Sequence, residues 1–388
     1  MFFQHAAMVS IRSKFVIQLT PCAWKSNSAW WHPIRQVRSA MAIHTTEISE
    51  QMVTTNGHVT HYLTAGPENG PLIIFVHGWP ELSISWRHQL PVLAGLGFHA
   101  IAPDLRGYGH SSVYEHHEDY AQEHVVADMI GLLDAFGHER SIWVGHDWGS
   151  PVVWNIASHH PNRCHGVANL CVPFATLERG LDTCIALVNR DIYPEDKFPA
   201  GQWDYQLFYQ ENFEKATRTF DSNPYNIVKL LFRKGDPDGF GKPAGTALTR
   251  KRGGWFGGAQ VAPDIPRDED VVTEADLRIY AEALERNGFF GPDSYYMNHA
   301  ANITYANKSV NEGYLDMPVL FLAAQYDYVC ESVTSRLAEP MRERCKMLDE
   351  VVVKSGHWMA QERPAEVNFA LLRWLTSRFH HLFPNSTL

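Results

Sequence analysis

The chain has 388 residues, 45% of them apolar and 20% charged, with a formal net charge of −10 and six cysteines. That is enough apolar material for one large α/β domain, or for a core carrying a second unit. The acidic balance and the absence of a basic stripe with interleaved aromatics argue against a nucleic-acid partner; no apolar run is long enough to span a bilayer, and the scattered cysteines fit neither a metal finger nor a disulfide scaffold.

Residues 1–46 stand apart. They carry Arg12, Lys14, Lys25, Arg35 and Arg38, and no acid occurs before Glu47. This is the composition of a mitochondrial transit peptide, but no amphipathic arginine-rich helix emerges. The segment reads as a disordered extension, or as lying upstream of a start at Met41. A cytoplasmic protein is the expectation, with a mitochondrial one as the alternative.

Apolar runs then alternate with helical patterns. Pro71 to Val76 ends at His77-Gly78-Trp79-Pro80, and Ala100 to Ala102 ends at Pro103-Asp104. Ile142 to Val144 ends at Gly145-His146-Asp147-Trp148-Gly149, after which Val152, Val153, Ile156 and Ala157 share a helical face. From about residue 175 to 313 no buried strand is evident, and a capped helix is predicted from Thr273 to Glu285, with Thr273 as cap and Asp276 three residues on. Before it, Gly235 to Asp270 is rich in Gly, Pro and charge and holds Trp255-Phe256 between glycine pairs. Strand runs resume with Pro318 to Ala324, which leads to Asp327, and Val351 to Val353, which leads to His357. A last helix after Pro364 places Val367, Ala370, Leu371, Trp374 and Leu375 on one side. Strands alternating with helices predict an α/β fold with a mostly parallel sheet flanked by helices on both faces. Its core comprises residues 47–174 and 314–388, with a helical cap inserted at 175–313.

Every polar motif begins where an apolar run stops, which is where an open α/β sheet gathers its functional groups. Gly145-x-Asp147-x-Gly149 has the outline of a nucleophile elbow with aspartate in place of serine. An aspartate of ordinary pKa, about 3.9, is already ionised at neutrality and can attack an electrophilic carbon directly to form an ester. Hydrolysis of that ester needs a base, a group that orients the base, and an oxyanion hole. Chain order points to His357 as base and Asp327 as its partner. The backbone N–H groups of Trp148 and Trp79 are the expected oxyanion donors. Adjacent histidine pairs such as His116-His117 point apart on a helix and lack ligand spacing, so neither a metal nor another cofactor is expected.

His77-Gly78-Trp79-Pro80-Glu81 and Gly145-His146-Asp147-Trp148-Gly149 resemble the signatures of α/β-hydrolase-fold epoxide hydrolases, and the resemblance runs from about Gln51 to the C-terminus. It implies two lid tyrosines that protonate the epoxide oxygen. Asp204-Tyr205-Gln206-Leu207-Phe208-Tyr209 points to Tyr205, and Gly288-Phe289-Phe290-Gly291-Pro292 followed by Tyr295-Tyr296-Met297-Asn298 points to Tyr296. The family often carries Trp-Tyr-Arg where this chain has Tyr295-Tyr296-Met297, which leaves Tyr295 as the alternative. His77, Trp148, Gln206 and Tyr295 are the expected substrate contacts. The implied reaction turns a small apolar epoxide into a vicinal diol, and a homodimer is left open. A haloalkane dehalogenase would use a similar elbow, but families of that type usually carry Asn at the place of Trp79, and halide release does not need paired tyrosines. A non-catalytic binding protein on the same fold is the other alternative.

Overall fold

In the computed structural model, which describes residues 46–383, eight strands build one sheet. They are β1 (Ser49–Thr55), β2 (His58–Ala65), β3 (Leu72–Val76), β4 (His99–Pro103), β5 (Ser141–His146), β6 (Cys164–Leu170), β7 (Leu315–Ala324) and β8 (Cys345–Val353). Their spatial order is β1-β2-β4-β3-β5-β6-β7-β8. β1, β2 and β4 pair antiparallel, and every pairing from β4 across to β8 is parallel. The expected extension lies, except for its last residue, outside the described residues.

The five apolar runs form β3, β4, β5, β7 and β8. β3, β4 and β5 are buried along their whole length, as strands covered on both faces must be. Three further strands have no such run. β1 is mostly exposed and forms a hairpin with β2 across Asn56-Gly57, both at positive φ (54° and 80°). Asn-Gly is a strong short-range hairpin signal, and it was available in the sequence. β6 is interrupted by Gly166 and Asn169. A Cβ on Gly166 would lie 2.5 Å from the Phe379 ring, so the glycine makes room for the C-terminal end of the last helix region.

Helices Gln122–Ala135 and Gly149–His159 pack on each other, and Pro364–Arg378 packs on β7 and β8. Between β6 and β7 the described residues form helices, turns and loops, with no strand. The longest of these helices is Asp204–Asp221. The capped helix spans Glu274–Asn287, with Thr273 Oγ1 accepting from the Asp276 N–H at 3.1 Å and Asp276 Oδ2 accepting from the Thr273 N–H at 3.0 Å. No helix among the described residues is long and apolar enough to cross a membrane.

β5 turns into the helix Gly149–His159 within two residues, and that turn is crowded. A Cβ on Gly149 would lie 2.2 Å from the Val76 carbonyl oxygen and 2.5 Å from that of His77. Backbone atoms of a buried strand end cannot move aside cheaply. Gly149→Ala is therefore expected to destabilise the fold by more than about 2 kcal/mol, read as a lower urea midpoint. Gly95→Ala, whose Cβ would meet only Thr46 at 3.6 Å, serves as the control with little change.

Candidate active site

The parallel pairing of β3 with β5 sets Val76 opposite Gly145. The chain needs only three more residues after Val76 to reach Trp79, and two more after Gly145 to reach Asp147. The two loops meet there: the Trp79 N–H donates to Asp147 Oδ1 at 2.7 Å. Asp147 sits at φ +48°, a left-handed conformation that costs a non-glycine residue roughly 1–2 kcal/mol. The turn lifts the side chain off the strand end, where it is 7% exposed. Gly78 packs so close to it that a Cβ there would lie 2.5 Å from Asp147 Oδ1.

β7 and β8 repeat the device. Ala324 lies opposite Val353, and the following loops bring Asp327 and His357 together. His357 Nδ1 donates to Asp327 Oδ2 at 2.6 Å, and its Nε2 lies 3.4 Å from Asp147 Oδ2. Asp327 Oδ1 accepts from the N–H groups of Val329 and Cys330, each at 3.0 Å. Burial works against the Asp327 charge, but His357 and these two amides outweigh it and hold the carboxyl below the usual range. Burial also lowers the His357 pKa, yet the Asp327 charge and the bonds to Asp147 and Asp327 leave it well above the ordinary value.

A second charged pair lies directly beneath. His146 Nδ1 donates to Glu81 Oε2 at 2.7 Å, and His146 Nε2 donates to the His357 carbonyl at 2.8 Å. Both ring nitrogens face acceptors, so both carry protons and the ring is an imidazolium. Burial opposes the charge, but Glu81 and Cys171 carry the His146 pKa up to about 10. Burial likewise opposes the Glu81 charge, while His146 and the Gly78 N–H hold its pKa at about 2. This pair ties the β3, β5 and β8 loops to one another. Sequence reasoning quoted both residues inside the two motifs and assigned neither a role.

The insertion between β6 and β7 supplies the tyrosines. Tyr205 lies in helix Asp204–Asp221 and Tyr296 in the turn Tyr295–Met297, with ring centroids 5.7 Å apart. The Tyr296 ring also meets Trp79 at 5.8 Å and Trp148 at 5.1 Å. Burial, and after it nearby groups that include the Asp147 charge, push both phenols well above their ordinary pKa. They remain protonated across the neutral range. Gln206 Nε2 donates to the Tyr205 hydroxyl at 3.1 Å, which leaves that hydroxyl's own proton free to be given elsewhere.

Two expected substrate contacts are placed elsewhere. His77 is fully buried: Nδ1 donates to the Gly78 carbonyl at 2.8 Å and Nε2 accepts from the Leu105 N–H at 3.0 Å. Both ring nitrogens serve the loop, and none is left for a substrate. The Tyr295 hydroxyl donates to the Arg106 carbonyl at 3.1 Å, with its ring against Tyr108 and Tyr120. The Tyr295 hydroxyl is thus engaged by a backbone carbonyl, and Tyr296 is the residue whose ring meets Tyr205. Trp148 follows Asp147 directly and precedes helix Gly149–His159, so its N–H is among the first-turn donors that lack an intrahelical acceptor.

Asp293, which sequence reasoning missed, joins the insertion to the sheet. Its Oδ1 accepts from Trp79 Nε1 at 3.0 Å and its Oδ2 from the Thr217 hydroxyl at 3.1 Å. Two clusters carry metal-ligand residue types, His146-Cys171-His357 and Asp327-Cys330-His357. Both His146 ring nitrogens and His357 Nδ1 are already hydrogen-bonded within the protein, and His357 Nε2 faces Asp147. The cysteines among the described residues are buried free thiols.

Residues 71–364 match the family model described as alpha/beta hydrolase fold. The chain is 34% identical over 339 residues to epoxide hydrolase A of Mycobacterium tuberculosis, covering 84% of this chain and 97% of that protein. It is 33% identical over 323 residues to bifunctional epoxide hydrolase 2 of Sus scrofa, covering 81% of this chain but 53% of that longer protein. The crystal structure of epoxide hydrolase A from Mycobacterium thermoresistibile superposes with a TM-score of 0.70 at 34% identity, covering 85% of this chain and 98% of that one.

The Glu81–His146 pair has a pH signature. The His146 contribution is complete below its ordinary value of 6.5 and is lost as pH rises toward about 10. The Glu81 contribution is complete above its ordinary value of 4.5 and is lost as pH falls toward about 2. The difference in Tm between the wild type and Glu81→Gln, measured by scanning calorimetry, is expected to be largest between pH 4.5 and 6.5 and to narrow on both sides. A difference that does not vary with pH would contradict the pairing.

Proposed function

The chain belongs to the epoxide hydrolases of the α/β-hydrolase fold, and from that premise we propose that it converts an epoxide and water into a vicinal diol through a covalent ester on Asp147. The observation that carries the reading is the division of labour around one carboxylate. Oδ1 is held by the Trp79 N–H, Oδ2 faces His357, and two buried phenols lie within reach of the Asp147 charge.

Oδ2 attacks one epoxide carbon, and the carbon–oxygen bond of the ring breaks. The departing alkoxide takes a proton from Tyr205 or Tyr296. An alkoxide is far more basic than a phenolate, so the transfer is downhill even from a phenol whose pKa burial has raised. Ester formation removes the Asp147 charge, and with it one of the interactions that keep His357 protonated. The imidazole then loses its proton to solvent more readily, which favours its role as base after the ester has formed. His357, held by Asp327, takes a proton from water, and the hydroxide attacks the Asp147 Cγ. The oxyanion develops on Oδ1, where the Trp79 N–H already points, with the Trp148 N–H as second donor. Such donors are worth about 3–4 kcal/mol each in well-studied hydrolases. Cleavage of the bond between Cγ and Oδ2 releases the diol, the His357 proton passes to the leaving oxygen, the regenerated Asp147 carboxyl gives its proton back to His357, and solvent reprotonates the phenolate.

His357→Gln leaves the first step and removes the base of the second. Intact-mass spectrometry after mixing with styrene oxide is expected to show an adduct one substrate heavier, absent in Asp147→Ala, with turnover down about 10²–10⁴-fold. No adduct would overturn the scheme. In labelled water, a single turnover is expected to give a diol with unlabelled new oxygen, because that oxygen comes from Asp147. Tyr205→Phe and Tyr296→Phe are each expected to slow adduct formation in stopped-flow by about 10²-fold or more, while Tyr295→Phe leaves it near the wild-type rate. A chloroalkane control that released halide as fast as styrene oxide is opened would favour a dehalogenase.

A further inference from the structure

The segment Gly253-Gly254-Trp255-Phe256-Gly257-Gly258 has no part in the mechanism above. Its four glycines lie at φ 75°, 141°, 66° and 85°. Crowding does not require them: a Cβ at Gly257 would meet nothing within 4 Å, and at Gly253, Gly254 and Gly258 the nearest atoms would lie 3.8, 3.6 and 3.3 Å away. The glycines are needed for backbone conformations that side chains resist, on both sides of two aromatic residues. Such a segment is built to turn.

What it carries sits at the centre of the site. The Trp255 ring lies 5.9 Å from Trp79 at an interplanar angle of 25°, 5.2 Å from Tyr205 and 5.8 Å from Phe220. Trp79 is a fixed platform, held by its Nε1 bond to Asp293 and by the rings of Phe220, Phe289 and Tyr296. Trp255 is half-buried, and the chain on either side of Trp255-Phe256 is a glycine pair. A cavity of about 390 Å³ opens beside it, lined by Trp255, Phe256, Leu231, Tyr328, Asp327 and His357 among others. Asp147, Tyr205 and Tyr296 do not line this cavity. Trp255 lines this cavity and packs at the same time on Tyr205 and Trp79, so it stands between the cavity and those two rings.

Resting on the proposed epoxide hydrolysis, we propose that Trp255 is a hinged aromatic plug filling the subsite of the substrate's own ring, and that the enzyme takes aryl-substituted epoxides by displacing it. A flat ring sandwiched between two others needs about 7 Å between them, twice a carbon–carbon contact. The 5.9 Å between Trp79 and Trp255 excludes that arrangement. An aryl group therefore stacks on Trp79 only when Trp255 swings out, and it then takes over the face that Trp255 had covered. A small alkyl epoxide makes no comparable demand.

The test compares styrene oxide with propylene oxide in wild type, Trp255→Phe and Trp255→Ala, together with calorimetric binding of the two corresponding diols. The ratio of kcat/KM for styrene oxide to that for propylene oxide is expected to rise at least about tenfold in Trp255→Ala, with Trp255→Phe between, as one ring's worth of competition is removed. A ratio within about twofold of wild type in both variants, or one that falls, would overturn the plug, because a merely structural role moves both substrates together. If the wild type opens neither epoxide, the proposed function fails by itself. The plug is then decided by the diols: a tenfold tighter phenyl diol in Trp255→Ala, relative to propanediol, sustains it, and equal affinities overturn it.

Discussion

The hydrogen bond from the Trp79 amide to Asp147 Oδ1 is the contact on which the rest of the site depends. It exists because two neighbouring parallel strands, β3 and β5, end level with each other, and because the residue after β5 accepts a left-handed backbone. The bond fixes which oxygen of the carboxylate stays in the protein's grip. The other oxygen is thereby presented toward His357. Without that asymmetry both oxygens would be equivalent, and the proposed mechanism would have neither a defined direction of attack nor a defined seat for the later negative charge. The strain at Asp147 and the crowding at Gly78 and Gly149 are the structural cost of this arrangement.

The electrostatics follow a layered plan. Asp147, His357 and Asp327 form the upper layer, and Glu81 with the doubly protonated His146 forms the lower one. The lower pair is closed on itself and does not titrate near neutrality. Its work is mechanical, since His146 holds the backbone carbonyl of His357 while Glu81 holds the amide of Gly78. A buried pair of this kind contributes little net stability over an apolar substitute, but breaking one half leaves a charge stranded. In the proposed mechanism the upper layer is the one whose charges change hands.

Much of this was legible in the sequence because the sheet announces itself there. β3, β5, β7 and β8 end in the motifs that carry Trp79, Asp147, Asp327 and His357, and an apolar run followed by a polar corner is a local signal. β1 is mostly exposed, and β2 intersperses Thr and His among its apolar residues, so no continuous apolar run marks them. β6 is broken by a glycine that accommodates Phe379, a residue more than two hundred positions away. The same limit applies to side chains. Tyr295 and Tyr296 are adjacent and chemically identical, and only the three-dimensional turn decides which hydroxyl meets Arg106 and which ring faces Tyr205. His77 reads as a ligand contact in the sequence, whereas its two ring nitrogens are satisfied by backbone groups that no sequence pattern displays. The Glu81–His146 pair and Asp293 are likewise products of loops that meet only in the folded chain.

Asp293 carries a consequence for how the molecule admits anything at all. It bonds at once to the indole of Trp79 above the sheet and to Thr217 in the long helix of the insertion, and burial pushes its carboxyl well above the ordinary range. Lifting the insertion as a rigid body would break the desolvated indole–carboxyl contact inside an aromatic cluster and leave the Trp79 N–H and Asp293 Oδ1 without a partner. The roof is thus nailed to the floor at its centre. Traffic in and out is confined to pieces of the roof that can move singly, so exchange of substrate and product is a matter of a few residues' dihedral angles and not of domains parting.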